Sequence, residues 1–355
     1  MGTRISEAAG QAWPAFVLVS GLLMVGVVAH ADGVFERAGR ALERLPGPPV
    51  GLFLSGIVLV AAVTAVLNLD TAVVFLTPVL VHAARERGAD EEPFLYGAVF
   101  MANASSLYLP GSNLTNLLVL AHDPLSGSAF AARLIVPAAF ATLATAAGLL
   151  VIYRRRLRDA VRPRQPARAV GGPPLLGAAA ALAAAALTVA LRDAALFVLA
   201  VGVLAAGAQI ARGRLGLRDV VRAVGPVVLV ALFSAAVALG VLARSWDGPS
   251  QLLHGAGSGE TAVIGALTAI VVNNLPAAVL LSAHPLSHPA ALLVGLNLGP
   301  NLAMTGSLSA LLWFRAARQV DAAPSILRYS RLGVVLAPFA IAVVLAAMGL
   351  LGTPR

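Results

Sequence analysis

The side chains of this chain that could do chemistry away from water are amides and hydroxyls, gathered in short stretches inside otherwise apolar sequence. An apolar arm ending at Leu67 meets Asn68-Leu69-Asp70-Thr71 and then resumes as AVVFLTPVLV. Further along come Asn103-Ala-Ser105-Ser106 and Pro110-Gly111-Ser112-Asn113-Leu-Thr115-Asn116. A second arm ends at Val272, meets Asn273-Asn274-Leu275-Pro276 and returns through AAVLLSA. After it stand Asn297-Leu-Gly299-Pro300-Asn301 and Thr305-Gly306-Ser307. Such groups suit binding a polar solute or an ion. Asp70 is the only acid inside an apolar segment away from its ends, and an intramembrane carboxylate is costly and usually functional. It would bind a cation or carry a proton; its alternative role is an N-cap for the returning arm 71–82. Asn273 and Asn274 read alternatively as turn formers, but buried amides need partners, which an ion or substrate would supply. For Ser112, Asn113, Thr305 and Ser307 the rival is helix-to-helix glue. For Gly111, Gly299 and Gly306 it is tight helix packing instead of unwinding toward a ligand.

Other chemistries lack their residues. With no Cys there is no disulfide, thiolate metal site or redox couple. No HExxH, nucleophile elbow, P-loop or dinucleotide fingerprint occurs. The six histidines, His30, His82, His122, His254, His284 and His288, all fall near segment ends, where interfacial solvation outranks metal binding. An intramembrane enzyme would need a carboxylate pair or metal cluster at depth, and only one acid lies there.

The elements that must position these groups are membrane spans. The 355 residues are 59% hydrophobic and 12% charged, with a mean hydropathy of +0.88, whereas soluble domains are about 25% charged. Apolar runs approach the roughly 20 residues that cross a bilayer. The composition therefore predicts an all-α polytopic membrane protein. Plain spans are read at 13–29, 129–153, 173–191, 194–211, 224–243 and 330–351. The segments 50–67 with 71–82, 94–122, 260–272 with 277–284, and 288–314 are broken by Asn, Asp, Ser, Pro and Gly where a lipid-facing helix cannot tolerate them. The opening segment lacks the pattern of a cleaved leader and is read as a retained helix.

Arginine fixes the orientation. All 25 basic residues are Arg, and the net charge is +9 with a pI near 11.3. Arg confined to short loops points to membrane orientation instead of nucleic acid. The loops 30–49, 82–93, 154–172, 212–223 and 315–331 hold 20 of the 25. If 50–82 enters and leaves on one face, all five loops share a side, the cytoplasm by the positive-inside rule. The count is eight crossings plus two re-entrant hairpins, with both termini extracytoplasmic. The run Arg154-Arg155-Arg156-Leu-Arg158 is read as a topology determinant.

The order polar-tipped hairpin, Gly/Pro-interrupted helix, plain helix occurs twice. The first repeat is 1–153 (hairpin 50–82, broken helix 94–122, helix 129–153), followed by a basic linker, 154–172. The second is 173–355 (helices 173–243, hairpin 260–284, broken helix 288–314, helix 330–351). The first hairpin enters from the cytoplasm and the second from outside. Repeats of opposite orientation, with two discontinuous helices meeting near the midplane, are the signature of many secondary transporters. Broken helices offer free N–H groups to anions and free carbonyls to cations.

On NLDTAVVFLTP, NASSLYLPGSNLTNLL, VVNNLPAAVLL and LNLGPNLAMTGSLSALLW, the chain resembles the arsenite efflux permeases of the ion transporter superfamily, which also holds sodium-coupled dicarboxylate symporters. The likeness runs from about residue 13 to the C-terminus. It implies substrate and ion sites at the hairpin tips and unwound segments: Asn68, Asp70, Thr71, Asn103, Ser105, Ser106, Gly111, Ser112, Asn113, Asn116, Asn273, Asn274, Asn297, Gly299, Asn301, Thr305, Gly306 and Ser307, with Asp70 as coupling residue. It implies no cofactor, coupling to protons or a bound Na+, and a metalloid or small inorganic or organic anion as substrate. Membrane lipid, a homodimer and a separate ATPase subunit are the partners it allows, in a prokaryotic cell membrane. Two departures stand out. One plain helix precedes the first hairpin where family members have further ones. The second broken helix reads Asn297-Leu-Gly-Pro-Asn301 where arsenite permeases read Asp-Leu-Gly-Pro-Lys.

Overall fold

The structure, a computed structural model, describes residues 2–122, 125–158, 175–246 and 248–351. Most of the linker 154–172, the opening of the segment 173–191 and the terminal Arg355 lie outside the described residues. Among those described, the regular structure is entirely helical. The first half comprises α1 (Gly2–Ala31), α2 (Val34–Glu43), α3 (Pro49–Val66), α4 (Leu69–Glu86), α5 (Glu92–Ser105), α6 (Leu114–Val119) and α7 (Gly127–Tyr153). The second comprises α8 (Leu175–Ala190), α9 (Ala195–Ala211), α10 (Leu217–Val224), α11 (Pro226–Ala243), α12 (Gly248–Gln251), α13 (Ser258–Val272), α14 (Asn274–Leu281), α15 (Pro289–Leu298), α16 (Leu308–Gln319) and α17 (Ile326–Leu350). Five stretches, α1, α3, α7, α10–α11 and α17, are long and apolar enough to cross a membrane, with α8, α9 and α13 shorter.

The two expected hairpins are α3–α4 and α13–α14, and the two interrupted helices are α5–α6 and α15–α16. Both interrupted helices are broken by 3-10 turns, at Pro110–Ser112 in the first and at Gly299–Leu302 and Met304–Gly306 in the second. The half-helices before the breaks sit at the centre of the molecule: Pro93 to Ser105 and Ala291 to Leu298 are buried without exception. A buried Trp313 donates its indole N–H to the Leu95 carbonyl at 2.8 Å, and Tyr329 donates to the Pro300 carbonyl at 3.0 Å. Even the aromatic core thus satisfies its polar atoms.

The arginine-rich loops meet at one end. Arg85 donates to the Val320 carbonyl at 2.6 Å. Arg87 reaches the carbonyls of Glu43 and Gly47 at 3.1 and 2.8 Å. Glu92 accepts from Arg156 at 2.6 Å, Arg328 at 2.8 Å and Tyr153 at 3.0 Å. Arg214 lies 3.5 Å from Asp32. These contacts tie all five loops together. The opposite end is marked by Arg244, which bonds Gln11 near the start of α1. Gln11 lies 21 residues before Asp32 along α1, about 32 Å at 1.5 Å per residue, so the two mark opposite sides of the molecule. The first hairpin opens toward the arginine-rich end and the second toward the other.

Three boundaries differ from the sequence expectation. The first helix begins at Gly2, well before 13, because Ala8 and Ala12 continue its buried face. The loops 30–49 and 212–223 contain the short helices α2 and α10, whose arginines lower their hydropathy but leave an apolar stripe such as Phe35, Gly39 and Leu42. Elsewhere, α1 packs against α9 backbone to backbone. A Cβ on Gly21 would meet the Leu199 nitrogen at 2.6 Å, and one on Gly202 the Gly21 carbonyl at 2.7 Å.

Candidate functional site

Each hairpin turns on an asparagine. Asn68 has an extended backbone, and its side-chain oxygen accepts from the Thr71 N–H at 2.7 Å, making Asn68 the N-cap of α4. Asp70 therefore stands in the first turn of α4 and is not the cap. That correction removes the rival role considered for it and leaves a carboxylate near the positive end of a helix. It is half-buried and makes no hydrogen bond or ion pair among the described residues. At the other tip Asn273 adopts φ 79° and ψ 152°, outside the left-handed helical region and in one that L side chains rarely take. Its amide accepts from the Leu275 N–H at 3.3 Å and donates to the Thr305 carbonyl at 2.9 Å. Asn274, buried beside it, has no hydrogen-bond partner among the described residues.

The tips are fastened to the broken helices in matching ways. The Ser112 hydroxyl donates to the Ala65 carbonyl at 3.2 Å, and the Thr305 hydroxyl donates to the Ile270 carbonyl at 3.2 Å. Each acceptor lies three residues before the tip asparagine. Asn113 and Ser307 then cap the helices that follow, accepting from the Thr115 and Ala310 N–H groups at 3.1 and 3.3 Å. Ser307 also shares a hydrogen bond with Ser309 at 2.8 Å.

Where the two broken helices cross, they share a lattice of amides. Asn297 donates to the Asn116 amide oxygen and the Leu293 carbonyl, both at 2.8 Å, and accepts from Asn113 at 2.7 Å and from the Ser106 hydroxyl. Its two donors and two lone pairs are all engaged. Asn103 donates to the Asn301 amide oxygen at 2.8 Å. Asn116 returns to the first helix through the Ser106 carbonyl at 2.7 Å.

Several of the sequence-read site residues thus have protein partners. Ser105 bonds back to the Met101 carbonyl at 2.6 Å within its own helix. The methyl of Thr71 fills the space over Gly26 of α1, where a Cβ would lie 2.7 Å from it. The three glycines sit at close approaches: Gly111 faces Leu22, a Cβ on Gly299 would lie 2.5 Å from the Ala266 backbone, and one on Gly306 would lie 2.6 Å from the Pro300 backbone. Packing accounts for them without a ligand.

What is left unpaired is concentrated in the first half. Thr64 Oγ1, Asn68 Nδ2, Thr71 Oγ1 and Asn103 Oδ1 are buried without a hydrogen-bond partner. Orphaned polar atoms in a native interior call for a ligand, an ion or water. Thr64 was not among the residues picked from the sequence; its signal there is a lone hydroxyl one turn before the tip. From the end opposite the arginines, a cavity of about 350 Å³ runs between Trp13, Leu18, Leu120 and Arg192 and reaches Pro110, at the first break. Among the described residues no group of three His, Asp or Glu side chains could hold a metal ion.

Comparison with known proteins agrees with this architecture. Residues 2–299 match the family model CitMHS, described as citrate transporter. The arsenical pump membrane protein of Yersinia enterocolitica is 26% identical over 374 aligned residues, spanning 95% of this chain and 86% of that one. Its namesake from Escherichia coli is 25% identical over the same shares. Among solved structures, the Alcanivorax borkumensis YdaH transporter, described as having an unusual topology, superposes with a TM-score of 0.59. The match covers 99% of this chain and 87% of that one at 16% identity, a likeness of fold.

Proposed function

The chain belongs to the CitMHS citrate transporter family, within the ion transporter superfamily, and on that premise we propose that it exports arsenite or a related metalloid oxyanion as a secondary active transporter. One observation carries the choice of substrate. The two tips and the crossing hold amides, hydroxyls and backbone groups, and Asp70 is the only charged residue in these stretches. Arsenite near neutral pH is mostly the uncharged trihydroxide, a solute that such groups can ring with hydrogen bonds. A di- or tricarboxylate would face Asp70 with no cationic side chain beside it, and the repulsion would be severe at low dielectric. The lattice residues Asn297 and Asn301 hold the two breaks together, while Asn68, Asp70, Asn274 and Thr64 are left to meet substrate and coupling ion. Asp70 carries the coupling charge. The chain has no nucleotide motif, so energy comes from a proton or sodium gradient or from a separate ATPase subunit.

In this reading the arginine-rich end faces the cytoplasm, the hairpins are re-entrant from opposite sides, and the repeats are inverted, with both termini extracytoplasmic. A homodimer is compatible with this arrangement. The second reading, a cation-coupled carboxylate or inorganic-anion symporter, draws on the description of the matched family model. A bound Na+ beside Asp70 would then offset the repulsion. Uptake into everted vesicles separates the two. Arsenite accumulation that collapses with an uncoupler supports export, and sodium-driven citrate or succinate flux without arsenite flux would overturn it.

A further inference from the structure

Of the eight residues of α10, only Val220 is buried. Leu217 and Val221, one turn apart and therefore on one face, are 66% and 49% exposed. Arg218 and Arg222 repeat the same spacing on the adjoining face, and Arg212 and Arg214 lie in the turn just before. Arg214 faces Asp32 at 3.5 Å. Arg212, Arg218 and Arg222 are exposed and have no ion pair or hydrogen bond among the described residues. The one acid of the helix, Asp219, accepts from the Gly216 N–H at 3.2 Å.

The place of α10 in the fold gives this pattern its meaning. Gly225, at φ 58°, interrupts the helix and Pro226 opens α11. The first turn of α11 is bare and apolar, with Val227 82%, Val228 50% and Val230 64% exposed. In a protein that spans a membrane, that surface meets lipid. The Leu217 and Val221 face is therefore joined through one turn to the lipid-facing wall of α11, with the arginines at the level where headgroups lie. A guanidinium is suited to a phosphate diester, which it can grip through two N–H groups. A soluble acidic protein would be less well matched, because it offers nothing to the apolar face beside the bilayer.

We propose that α10 and the turn before it form a binding site for an anionic phospholipid. Arg212, Arg218 and Arg222 would hold the phosphate, and Leu217, Val221 and the first turn of α11 would receive the acyl chains. Each surface arginine is worth about fivefold in affinity for anionic lipid.

The test uses the full chain, purified in neutral detergent and titrated in mixed micelles with phosphatidylglycerol, phosphatidylcholine or inorganic phosphate. Thermal melting and native mass spectrometry are the readouts. Phosphatidylglycerol should raise the melting temperature and remain bound, and phosphatidylcholine should do neither. Arg218→Gln with Arg222→Gln should need about thirty-fold more phosphatidylglycerol for the same shift, and the paired Lys substitutions should keep most of it. Neither guanidinium has a protein partner to lose, so the Gln variant should melt at the wild-type temperature without lipid. Leu217→Ser with Val221→Ser should weaken retention of the lipid, and inorganic phosphate should shift the melt of neither this variant nor the wild type. The proposal is overturned by a lower lipid-free melt of the Gln variant, by undiminished phosphatidylglycerol binding in it, or by inorganic phosphate alone reproducing the shift.

Discussion

The amide nitrogen of Asn103 donates to the amide oxygen of Asn301 at 2.8 Å, joining positions 198 residues apart in sequence. The bond crosses from the first broken helix to the second, and Asn297 repeats the crossing with Asn116 and Asn113 at 2.8 and 2.7 Å. The resemblance to arsenite permeases leads one to expect an acid and a base at the positions of Asn297 and Asn301. An ion pair buried that deeply would have to recover the desolvation of two charges. Here neutral amides bond one another, with Asn103 Oδ1 left unpaired, so the junction of the two halves is held without charge.

Replacing Asn297 by Ala should therefore damage the fold. The Ser106 hydroxyl and the amides of Asn113 and Asn116 would lose their common partner, at about 1–3 kcal/mol for each group left unsatisfied. The melting temperature of the purified protein should fall by several degrees, with or without substrate. A wild-type melt would show that water fills the gap and that the lattice contributes little.

Both hairpins, both interruptions and the arginine-rich end could be read from the sequence, because apolar runs, polar tips and loop charges are one-dimensional signals. The first hairpin was expected at 50–82 and runs from Pro49 to Glu86; the second was expected at 260–284 and runs from Ser258 to Leu281. The partners of the polar residues were not legible in that way. Nothing in the chain says that Asn103 meets Asn301, or that Ser105 turns back onto its own helix, since both outcomes depend on how the two halves cross. The capping role weighed as the alternative for Asp70 belongs to Asn68, the residue with extended backbone, a choice that depends on where the helix starts. The helices α2 and α10 were hidden because arginine depresses hydropathy on the face opposite their apolar stripe.

The two tips should respond differently to truncation. Asn68→Ala removes a cap, worth about 0.5–2 kcal/mol, as well as the unpartnered Nδ2. Asn274→Ala removes an amide that bonds nothing in the protein, so the melt should be unchanged while apparent transport affinity falls about five- to hundred-fold. Transport kinetics beside melting curves decide the matter. Normal kinetics for Asn274→Ala would reduce the second tip to a structural turn.

Close packing at the second break gives a third prediction. A Cβ on Gly333 of α17 would lie 1.8 Å from the Asn301 carbonyl oxygen. Gly333→Ala must push that turn away or displace α17, costing about 1–3 kcal/mol and disturbing the Asn103–Asn301 bond. Expression should fall and the melt should drop, whereas Gly207→Ala, with open space around it, should be silent.

Topology can be checked cleanly, since the chain has no Cys of its own. With the arginine-rich end cytoplasmic, as proposed, a cysteine at the exposed Arg155 should be protected from an impermeant thiol reagent added to intact cells. A cysteine at the exposed Ser245 should react. Labelling in the reverse pattern would invert the orientation, and labelling of both would remove the eight-crossing arrangement.

The last prediction concerns Asp70, a half-buried carboxylate with no partner among the described residues. Asn68 supplies the cap, so Asp70→Asn leaves the tip geometry and nearly the same volume in place. Only the charge goes. If that charge binds the coupling ion or proton, gradient-driven accumulation in reconstituted vesicles should be abolished while counterflow of substrate persists. Counterflow needs a working binding site and moving protein but no driving ion. Asp70→Glu keeps the charge and misplaces it by one methylene, so accumulation should continue slowly with altered ion dependence. Loss of both counterflow and accumulation in the Asn variant would instead make Asp70 a substrate ligand. Wild-type accumulation would leave the carboxylate with no role beyond its favourable position at the helix N-terminus.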